Sequence, residues 1–561
     1  MATTLSALEL TAPSQRHAVP RLRFVLESAL VFILAVMLAS FWLGSRAHFD
    51  ELYHLLAGQG ILATGEPVIA GGAYVRGHLF TQIVAYSLDL FGPTLLAARL
   101  PTLFFFAASA TLLFVWVRVE VGRPAALITT ALVLLSPLAL DIGYMARFYA
   151  LHTLLFLIAS WCIWRLGSAQ DRPAVQVGLV MLAGPTIAVA LDLHMLTAIH
   201  LAGAMLWLAG AIALRLIAAG RGRLVLVLLL GALALGGALL ALESDRLADL
   251  LRGYRWVPTW AAETRNEVEF YHLRLIETYP LFWALTPFAV YFALTARPAF
   301  TSFALLVFVV AFVLLSFGGM KSDRYLFGPK LFLLAIWAIG LASAWPVLGR
   351  AMIRLTGRVL QVLPWAVPER TGRRVLVAAA LVFLFAASGE PFKAVYAFAK
   401  GELPHAPGRN VIAPEWPAAA GPLAPWLDRS EIVMTSDELS ALHFLGRANL
   451  IVSQTRLSEV GDHTDFERDP RTGLHLIASA DGVARVVACH TSGLAVIPAF
   501  DFDAGWTVPA ATARRIEELM QPIELEGLPG LRVFRFENPA PESCPTMPSL
   551  TAGLHPILGA R

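Results

Sequence analysis

Residues 79–91 of the chain read LFTQIVAYSLDLF, and this stretch decides how the sequence is placed in a membrane. As a helix it would be about 20 Å long, whereas the hydrocarbon core of a bilayer is about 30 Å thick. It is therefore too short to cross. Its apolar residues recur at helical spacing and its polar residues take the other face: Phe80, Ile83, Val84, Leu88 and Phe91 against Gln82, Ser87 and Asp89. This pattern predicts a helix that lies in the membrane interface.

The composition is that of a polytopic membrane protein. Of the 561 residues, 57% are hydrophobic and 15% are charged, against roughly 45–50% and about 25% in soluble domains. A soluble globular enzyme is excluded. The formal net charge of +3 is too balanced to suggest a nucleic-acid partner. Cys162 lies in an apolar run, so that only Cys489 and Cys544 could pair, and a bridge between them would be incidental to function.

A spanning helix needs about 20 mostly apolar residues, and the sequence offers eleven stretches near that length. The first is too long, and too poor in a small-residue cleavage site, to be a removed signal peptide. The predicted spans are Phe24–Gly44, Leu100–Trp116, Ala125–Leu140, Tyr149–Trp164, Ala174–Leu191, Leu196–Leu214, Leu224–Leu242, Leu275–Leu294, Thr301–Phe317, Tyr325–Trp345 and Val375–Gly389, the last being the shortest.

The loop charges test whether residues 79–91 lie flat. If they do, the loops that fall inside carry the arginines, as the positive-inside rule requires; if they cross, every later basic loop lies outside. We therefore predict a cytoplasmic N-terminus (1–23), a transmembrane catalytic domain (24–400) and an external, periplasmic domain (401–561), in the inner membrane of a bacterium. The segment 45–99 becomes one large external loop with two interfacial helices, Glu51–Ile61 and Leu79–Phe91.

The C-terminal region begins with a polar, Pro-rich linker, GELPHAPGRN at residues 401–410. Strands and helices then alternate, which favours a small α/β domain. The predicted strands are Glu431–Ser436, Ala448–Ser453, Leu494–Phe500 and Leu531–Phe536, and the predicted helices are Asp437–Leu445, with Asp437 as its cap, and Val508–Met520. Because no Gly-rich phosphate-binding motif occurs there, we expect this domain to dock the acceptor or to have a structural role.

Asp50 and Glu51 follow the first span in the string HFDELYH, residues 48–54. Two adjacent carboxylates at the start of a helix keep at least one ionised through the helix dipole, which suits a general base. The alternative is that Asp50 only caps the helix Glu51–Ile61. The residues alone favour neither interpretation.

Further charged and polar side chains lie at the predicted external ends of the spans. Arginine forks and a lysine there could clamp a phosphate. Lys and Arg at span ends also commonly extend to lipid headgroups, which we expect of Lys330 and Arg99. Short external loops are poor in such residues, so Lys321 and Arg324 are better candidates for a site. The other candidates are Arg76, His78, Asp141, Arg147, Tyr149, Asp192, His194 and Tyr325.

The histidines and the aromatic residues of the external loops give weaker signals. His194 is more typical of a satisfied residue at a helix end than of a ligand. A divalent cation held by Glu51 and His54 is a candidate, but no HExxH-type spacing occurs, and we assign no cofactor. Tyr271 and His272 end a long external loop; aromatic residues at this level stack on sugars or anchor the chain in the interface.

Four passages of the sequence are informative through their order and spacing. They are DELYHLLAGQGILATGEP (50–67), HLFTQIVAYSLDLFGPTLLAARLPTLFF (78–105), SPLALDIGYMARFYALHTLLF (136–156) and KSDRYLFGPKLFLL (321–334). Together they resemble the GT-C superfamily of integral-membrane glycosyltransferases. The resemblance is to the branch that holds protein O-mannosyltransferases and the bacterial lipid A aminoarabinose transferase. It covers about the first 345 residues.

The resemblance implies transfer of a sugar from a polyprenyl-phosphate donor to a glycolipid, glycan or protein acceptor on the external face, with inversion at the anomeric carbon. It implies that Asp50, with Glu51 beside it, is the base or orients the acceptor. Lys321, Arg324 and Tyr325 then match the element that binds the donor phosphate, and we expect Arg147 and Arg76 to assist. We expect the substrates to contact Tyr149, His78, Asp141, His194, Tyr271 and His272.

The chain also departs from this branch and leaves alternatives open. The aminoarabinose enzymes have Lys-Pro-Pro where this chain has Arg76, Gly77 and His78, so neither their substrate nor their metal site is transferred here. A lipid-linked glycan flippase or transporter would place ionisable groups near the bilayer midplane and show internal repeats, whereas here they gather at one interface. An O-antigen ligase or polymerase would use the same lipid donors.

Overall fold

The structure is a computed structural model of the chain. It describes residues 21–168, 172–242, 244–257, 267–362, 385–401, 414–461, 463–505, 507–524, 530–545 and 547–550, with 379 and 382. A long helical region is followed by a six-stranded sheet. Residues 330–340 are buried throughout and lie at the centre of the helical region.

The helices of the first region follow one another with short connections. They are α1 (Arg21–Ser40), α2 (Phe49–Thr64), α3 (His78–Phe91), α4 (Leu95–Glu120), α5 (Arg123–Leu134), α6 (Pro137–Tyr144), α7 (Tyr149–Ser168), α8 (Pro173–Leu193), α9 (Leu196–Ala218), α10 (Gly222–Leu242), α11 (Ser244–Arg255), α12 (Phe270–Thr278), α13 (Pro280–Ala284), α14 (Thr286–Ala296), α15 (Pro298–Phe317), α16 (Phe327–Val362), preceded by a 3₁₀ turn at Asp323–Leu326, and α17 (Glu390–Lys400).

Among the described residues, seven helical stretches are long and apolar enough to cross a membrane, or eight if a bent pair is one span. A polytopic helical membrane protein is thereby confirmed, while the count of eleven stays a prediction. The predicted span Ala125–Leu140 is the bent pair: α5 and α6 meet at 70°, because Ser136 caps a new helix and Pro137 cannot continue the old one. Leu275–Leu294 is divided among α12, α13 and α14, with Pro280 and Thr286-Pro287 at the breaks. Val375–Gly389 lies mostly outside the described residues.

The segment between α1 and α4, which the sequence predicts to be external, folds as α2, a two-stranded antiparallel hairpin of β1 (Val68–Ile69) and β2 (Gly72–Ala73), and α3. The short helix α3 confirms the helix expected at residues 79–91, but its buried face is rotated from the predicted one. Ser87 is buried and its Oγ donates to the carbonyl of Ala97 at 2.6 Å, whereas Phe91 is 63% exposed. The rotation arises because α3 packs between α2 and α4.

The C-terminal sheet contains β3 (Ile432–Thr435), β4 (Leu450–Val452), β5 (His475–Ile477), β6 (Ser492–Pro498), β7 (Gln521–Pro522) and β8 (Leu531–Glu537). The order is β5-β4-β3-β6-β8-β7; the first four strands are parallel, and β8 runs antiparallel to both β6 and β7. The helices around it are α18 (Trp416–Leu427), α19 (Glu438–Ser440), α20 (Gln454–Leu457), α21 (Ala480–Cys489), α22 (Ala499–Ala504) and α23 (Ala510–Leu519).

This sheet region confirms the four predicted strands and the α/β character. Asp437 caps α19 as predicted, but α19 ends at Ser440 and residues 441–445 form a π turn instead of continuing the helix. β5 and α21 were not predicted. Cys489 and Cys544 form a disulfide with a Cα–Cα distance of 5.8 Å, and the free Cys162 is buried, as expected.

The C-terminal region packs on the hairpin of β1 and β2 through a close backbone contact. The N–H of Gly71 donates to the carbonyl of Thr472 at 2.9 Å, and the N–H of Ala73 donates to that of Pro470 at 3.2 Å. A Cβ at Gly72 would lie 2.4 Å from the nitrogen of Gly473, so glycine is required for this approach. The hairpin that leads to Arg76 is therefore held by residues almost 400 positions later in the chain.

Candidate active site

Asp50 lies in the first turn of α2, whose backbone is capped by its neighbours. The His48 side chain accepts a hydrogen bond from the N–H of Asp50 at 3.1 Å, and the Glu51 carboxylate accepts one from the N–H of His48 at 2.9 Å. His48 is therefore the N-cap, and the interpretation of Asp50 as the cap is wrong. Because capping is done by His48 and Glu51, the Asp50 carboxylate takes other partners.

Two arginines from distant segments meet at the Asp50 carboxylate. Arg147 Nη1 donates to Asp50 Oδ2 at 2.5 Å, and Arg324 Nη1 donates to the same oxygen at 3.4 Å. Arg147 lies between α6 and α7, and Arg324 lies in the 3₁₀ turn before α16. The side chains of Asp50 and Arg324 are 31% and 26% exposed, so a ligand can reach this group. We call these three residues the Asp50 cluster.

The charges of the Asp50 cluster keep the carboxylate ionised. Burial acts to raise the pKa of Asp50, but the guanidinium of Arg147 and the charge of His48 outweigh it, and the pKa lies below its ordinary value. At neutral pH Asp50 is a carboxylate, which is the state that a general base needs.

Tyr149 forms an aromatic wall beside the cluster. The guanidinium groups of Arg147 and Arg324 lie 5.0 and 5.9 Å from the centre of its ring, within range for cation–π contacts that orient planar cations. The ring of His194 lies 6.1 Å from Tyr149 and 5.8 Å from Tyr325. The predicted residues Tyr149, His194 and Tyr325 are thus brought together with the cluster.

His194 also keeps a role at the helix end. It is the C-cap residue of α8, and its Nδ1 accepts a hydrogen bond from the N–H of Leu196 at 3.1 Å. Burial and the charge of Arg76 lower the pKa of its imidazole to about 3, so His194 is neutral at physiological pH. A neutral ring contributes shape and hydrogen bonding to the site, without charge.

Glu51, next to Asp50, has a different environment. Its carboxylate receives Arg99 Nε at 2.8 Å, Arg99 Nη2 at 2.7 Å and the N–H of Ala146 at 2.8 Å, besides the N–H of His48. The side chains of Glu51 and Arg99 are 0% exposed. Arg99 also donates to the carbonyls of Leu43 at 2.7 Å and Ser45 at 2.9 Å. The pair therefore joins the end of α1, the start of α2, α4 and the segment that carries Arg147.

This arrangement corrects the expectation for Arg99, which does not extend to lipid headgroups but is fully buried against Glu51. The Glu51 oxygens already accept four hydrogen bonds, so catalysis and metal binding by Glu51 stay predictions that this geometry does not favour. The physical reason is that a buried guanidinium requires a buried carboxylate as its partner.

The segment that carries Arg324 is fixed from two sides. Asp323 Oδ2 accepts from Arg274 Nη2 at 2.6 Å and from Arg274 Nε at 3.1 Å. Tyr271 Oη donates to the carbonyl of Ser322 at 3.2 Å. Lys321, 1% exposed, donates its Nζ hydrogens to the carbonyls of Gly318 at 2.7 Å and Gly319 at 3.4 Å. These contacts place Lys321 and Tyr271 behind Arg324, where they shape the loop.

Arg76 and His78 border the same region. Gly77 between them has a left-handed backbone (φ +61°), and a Cβ there would lie 2.9 Å from Phe148 Cδ1. The turn is therefore packed directly on the residue that follows Arg147. The charge of Arg76 acts on His54 and His194, while His78 shares a hydrogen bond with Gln82 at 3.0 Å.

His54 lies behind Asp50 on α2. Its Nδ1 shares a hydrogen bond with Thr81 Oγ1 at 2.9 Å, its ring is buried, and its Nε2 has no hydrogen-bond partner among the described residues. Burial and the charge of Arg147 lower the pKa of His54 to about 3. Within the ranges given above, no three His, Cys, Asp or Glu side chains form a group that could hold a metal ion.

Three other residues are placed away from the Asp50 cluster. Asp141 is buried in α6, where Glu390 is a neighbouring charge. His272 is exposed, and its Nδ1 accepts a hydrogen bond from Trp283 Nε1 at 3.2 Å. Lys330 is buried, 3.9 Å from a Glu390 oxygen, so its expected extension to lipid headgroups is wrong. A role of Asp141 and His272 in substrate binding stays a prediction. Their positions away from the Asp50 cluster do not favour it.

Sequence reasoning missed the contact between the C-terminal region and α2. Arg456 Nη2 donates to Tyr53 Oη at 3.0 Å, to Asp469 Oδ1 at 3.1 Å and to Glu438 Oε1 at 3.3 Å. Tyr53 in turn stacks on Tyr74, with ring centres 4.6 Å apart. The spacing of more than 400 residues between Tyr53 and Arg456 left no local signal for this contact.

Neither a family model nor a curated protein matches the sequence, but solved structures match the fold. ArnT from Cupriavidus metallidurans, in the apo state and bound to undecaprenyl phosphate, is 17% identical with a TM-score of 0.53, over 92% of this chain and 97% of that chain. The Archaeoglobus fulgidus oligosaccharyltransferase in the apo form is 13% identical with a TM-score of 0.54, over 88% and 73%. The same archaeal enzyme, AglB, in complex with an inhibitory peptide and a dolichol-phosphate, is 12% identical with a TM-score of 0.52.

These likenesses concern the fold. At 12–17% identity, they show that this chain shares its fold with ArnT and with the archaeal oligosaccharyltransferase. The ArnT match covers 92% of this chain. It therefore includes most of the C-terminal region and is not limited to the first 345 residues, in which the four passages lie.

Proposed function

We propose that the chain is a membrane glycosyltransferase that moves a sugar from a polyprenyl-phosphate donor to an acceptor hydroxyl, with inversion at the anomeric carbon. The observation that carries the proposal is the meeting of Arg147 and Arg324 at the accessible carboxylate of Asp50. Two proteins of similar fold bind lipid phosphates: ArnT binds undecaprenyl phosphate and AglB binds dolichol-phosphate. A base beside a cationic clamp is what this reaction requires.

The two arginines connect donor binding to the base. Without a donor, Asp50 is the counter-ion of Arg147 and Arg324, and their charges depress its basicity. A donor phosphate is the better bidentate partner for arginine forks. When it draws the two guanidinium groups away, the Asp50 carboxylate is released and its pKa rises toward its ordinary value. The base is then activated only when the donor is in place.

In the transfer step, the acceptor oxygen displaces the lipid phosphate from the sugar. The acceptor oxygen forms a bond to the anomeric carbon while the bond from that carbon to the phosphate oxygen breaks. The leaving polyprenyl phosphate keeps the electron pair, and its added negative charge is stabilised by Arg147 and Arg324, with Arg76 assisting. The acceptor proton passes to Asp50. The sugar is bordered by Tyr149, His194, Tyr325 and His78. The loop that carries Arg324 is supported by Lys321 and Tyr271.

We place this site on the periplasmic face of a bacterial inner membrane, with the N-terminus in the cytoplasm. Two features support the orientation. The disulfide Cys489–Cys544 lies in the C-terminal region, and disulfides persist in oxidising compartments such as the periplasm. Arg118 and Arg123 lie at the other end of the spans, where the positive-inside rule expects them. The C-terminal region would position the first external loop and border the acceptor.

The proposal is tested by complementation of a deletion strain, with mass spectrometry of its envelope glycolipids and glycoproteins. The wild-type gene should restore a sugar modification, D50N should restore none because the base is lost, and D89N should restore it. Asp89 is the matched control, an exposed carboxylate on α3 on the same predicted side. Retained modification by a normally expressed D50N variant would overturn the assignment of Asp50.

The same experiment separates sugar transfer from transport. A flippase or transporter would leave the unmodified lipid-linked sugar on the cytoplasmic side of the deletion strain, whereas a transferase would leave it on the periplasmic side. A ligase or polymerase would change glycan chain length or attachment instead of a single sugar. Accumulation of the donor lipid on the cytoplasmic side would overturn the transferase assignment.

A further inference from the structure

A second group of charges lies at the opposite end of the helices from Asp50. Glu27 of α1 receives Arg123 Nε at 2.8 Å, Arg23 Nε at 3.0 Å and Arg118 Nε at 3.5 Å. The three arginines come from the start of α1, the end of α4 and the start of α5. In the part of the chain that the structure describes, no carboxylate other than Glu27 lies within 4.0 Å of any of the three guanidinium groups. The group therefore has two more positive than negative charges.

The geometry leaves donors of these arginines available. In each arginine the nitrogen nearest to Glu27 is Nε. The side chains of Arg23 and Arg123 are 55% and 45% exposed, while those of Arg118 and Glu27 are each 13% exposed. The carboxylate thus holds the guanidinium groups together from the protein side and leaves Arg23 and Arg123 accessible to a ligand, with Arg118 behind them. Exposed guanidinium groups fit the oxygens of a phosphate.

An apolar strip of α1 begins at the same place. An open, shallow depression of about 420 Å³ lies along this one helix and is lined by Leu22, Arg23, Leu26, Glu27 and Leu30. The three leucines are 71%, 59% and 56% exposed and follow one face of α1 at helical spacing. A polar head at the arginines and an acyl chain along the leucines would fill this surface, which is the shape of a phospholipid.

We infer that this surface is a binding site for one anionic phospholipid, with its phosphate between Arg23, Arg118 and Arg123 and an acyl chain along Leu22, Leu26 and Leu30. The excess of positive charge selects an anionic over a zwitterionic headgroup. Arg23 and Glu27 lie about 20–25 Å along α1 from the end that leads to Asp50. The site is therefore in the leaflet opposite the candidate active site and does not depend on sugar transfer.

The test uses the purified full-length chain and two lipids of equal acyl composition, phosphatidylglycerol and phosphatidylcholine. Native mass spectrometry counts bound lipid, and the shift of the unfolding temperature gives the apparent affinity. The wild-type chain should bind phosphatidylglycerol more tightly than phosphatidylcholine, and added salt should weaken the preference. In R23Q/R123Q the affinity for phosphatidylglycerol should fall about 25-fold, on the order of fivefold per arginine.

Two further variants keep the test decisive. R221Q/R223Q removes two exposed arginines at the start of α10 and should bind phosphatidylglycerol like the wild type. E27Q keeps all three arginines and a side-chain oxygen that can accept their hydrogen bonds, and it raises the excess positive charge from two to three. It should bind this lipid more tightly, an outcome that a damaged fold would not produce. The inference is overturned if phosphatidylcholine binds equally well, if R221Q/R223Q loses as much affinity as R23Q/R123Q, or if E27Q weakens binding.

Discussion

Asp50 and Glu51 are neighbours in the sequence, but their carboxylates lie in opposite environments. Asp50 is 31% exposed and meets two arginines through one oxygen, the nearer at 2.5 Å and the other at 3.4 Å. Glu51 is 0% exposed and accepts two hydrogen bonds from Arg99 in addition to two from backbone N–H groups. In the first turn of a helix, consecutive side chains point about 100° apart. One carboxylate therefore faces the site and the other faces the core.

The comparison shows how the fold can position the Asp50 carboxylate and still leave it accessible. Glu51 and Arg99 neutralise one another and fix the backbone on both sides of Asp50 and Arg147. Asp50 then needs no structural partner of its own. The side chains of Asp50 and Arg324 are partly exposed, so in the function proposed above a donor phosphate would replace the carboxylate as the partner of Arg324 at low free-energy cost.

The largest expected effects are those of D50N and E51Q. D50N should lose sugar transfer and keep the fold, whereas E51Q should lose the fold itself. Glutamine at position 51 leaves the buried Arg99 without a countercharge, and breaking a buried pair costs about 3–5 kcal/mol. We expect E51Q to give a strongly lowered unfolding temperature or no monodisperse protein, whereas D50N should melt near the wild type. Equal melting of the two variants would contradict the division of roles.

Replacement of Arg324 by lysine should have the next largest effect. Lysine keeps the charge but loses the planar fork that a phosphate engages. Transfer should fall roughly tenfold to a hundredfold, which corresponds to about 1.5–3 kcal/mol for a charged hydrogen bond. The control is R485K in α21, away from the cluster. Activity of R324K equal to that of R485K would remove Arg324 from the clamp.

Tyr53 offers a smaller test of how the C-terminal region supports α2. Phenylalanine at this position removes only the hydrogen bond that Tyr53 Oη accepts from Arg456, while the stacking on Tyr74 is kept. We expect Y53F to lower the free energy of unfolding by about 1–2 kcal/mol, measured by thermal melting. Y86F on α3, where the ring is 71% exposed, should leave it unchanged. A stability of Y53F equal to that of the wild type would show that Arg456 does not hold α2.

The smallest effect concerns Glu438 at the same contact and depends on pH. Burial raises the pKa of Glu438 from 4.5 to about 7, although Arg456 opposes the shift. The folded chain therefore retains a proton that the unfolded chain releases above about pH 4.5. The stability that this proton contributes is lost as the pH rises through about 7. The unfolding temperature of the wild type should fall between about pH 5 and pH 8, and that of E438Q should fall less. Equal slopes would exclude Glu438 as the group responsible.

Much of the architecture could be predicted from the sequence because membrane helices carry their own signal. Apolar runs of spanning length located α1, α4, α7, α8, α9 and α15 to within a few residues, since a lipid-exposed backbone must satisfy its hydrogen bonds within the helix. Residues 79–91 are amphipathic and too short to cross the membrane, and this predicted the helix α3. The broken helices α12–α14 were missed because a hydropathy pattern does not register where a proline interrupts the hydrogen bonding.

The candidate site was predictable in its membership but not in its contacts. Asp50, Arg147 and Arg324 were all candidates, because charged groups at span ends are expensive near a membrane. Arg99 and Lys330 were misread as lipid-facing because their partners, Glu51 and Glu390, lie 48 and 60 positions away. The part of Lys321 in the clamp stays a prediction, and its ammonium donates to carbonyls of its own loop, a local contact that the sequence pattern does not show.

By itself, the sequence determined that the chain is a membrane protein with an α/β C-terminal region and that its acids and bases gather at the ends of spans. Hydropathy and periodicity are local properties, and they are sufficient for these conclusions. Only the tertiary structure decided which of two adjacent carboxylates is exposed, which arginines meet it and which stretch of the C-terminal region holds α2. These depend on packing between segments that are far apart in the chain, and packing is fixed by the shapes of all the elements together.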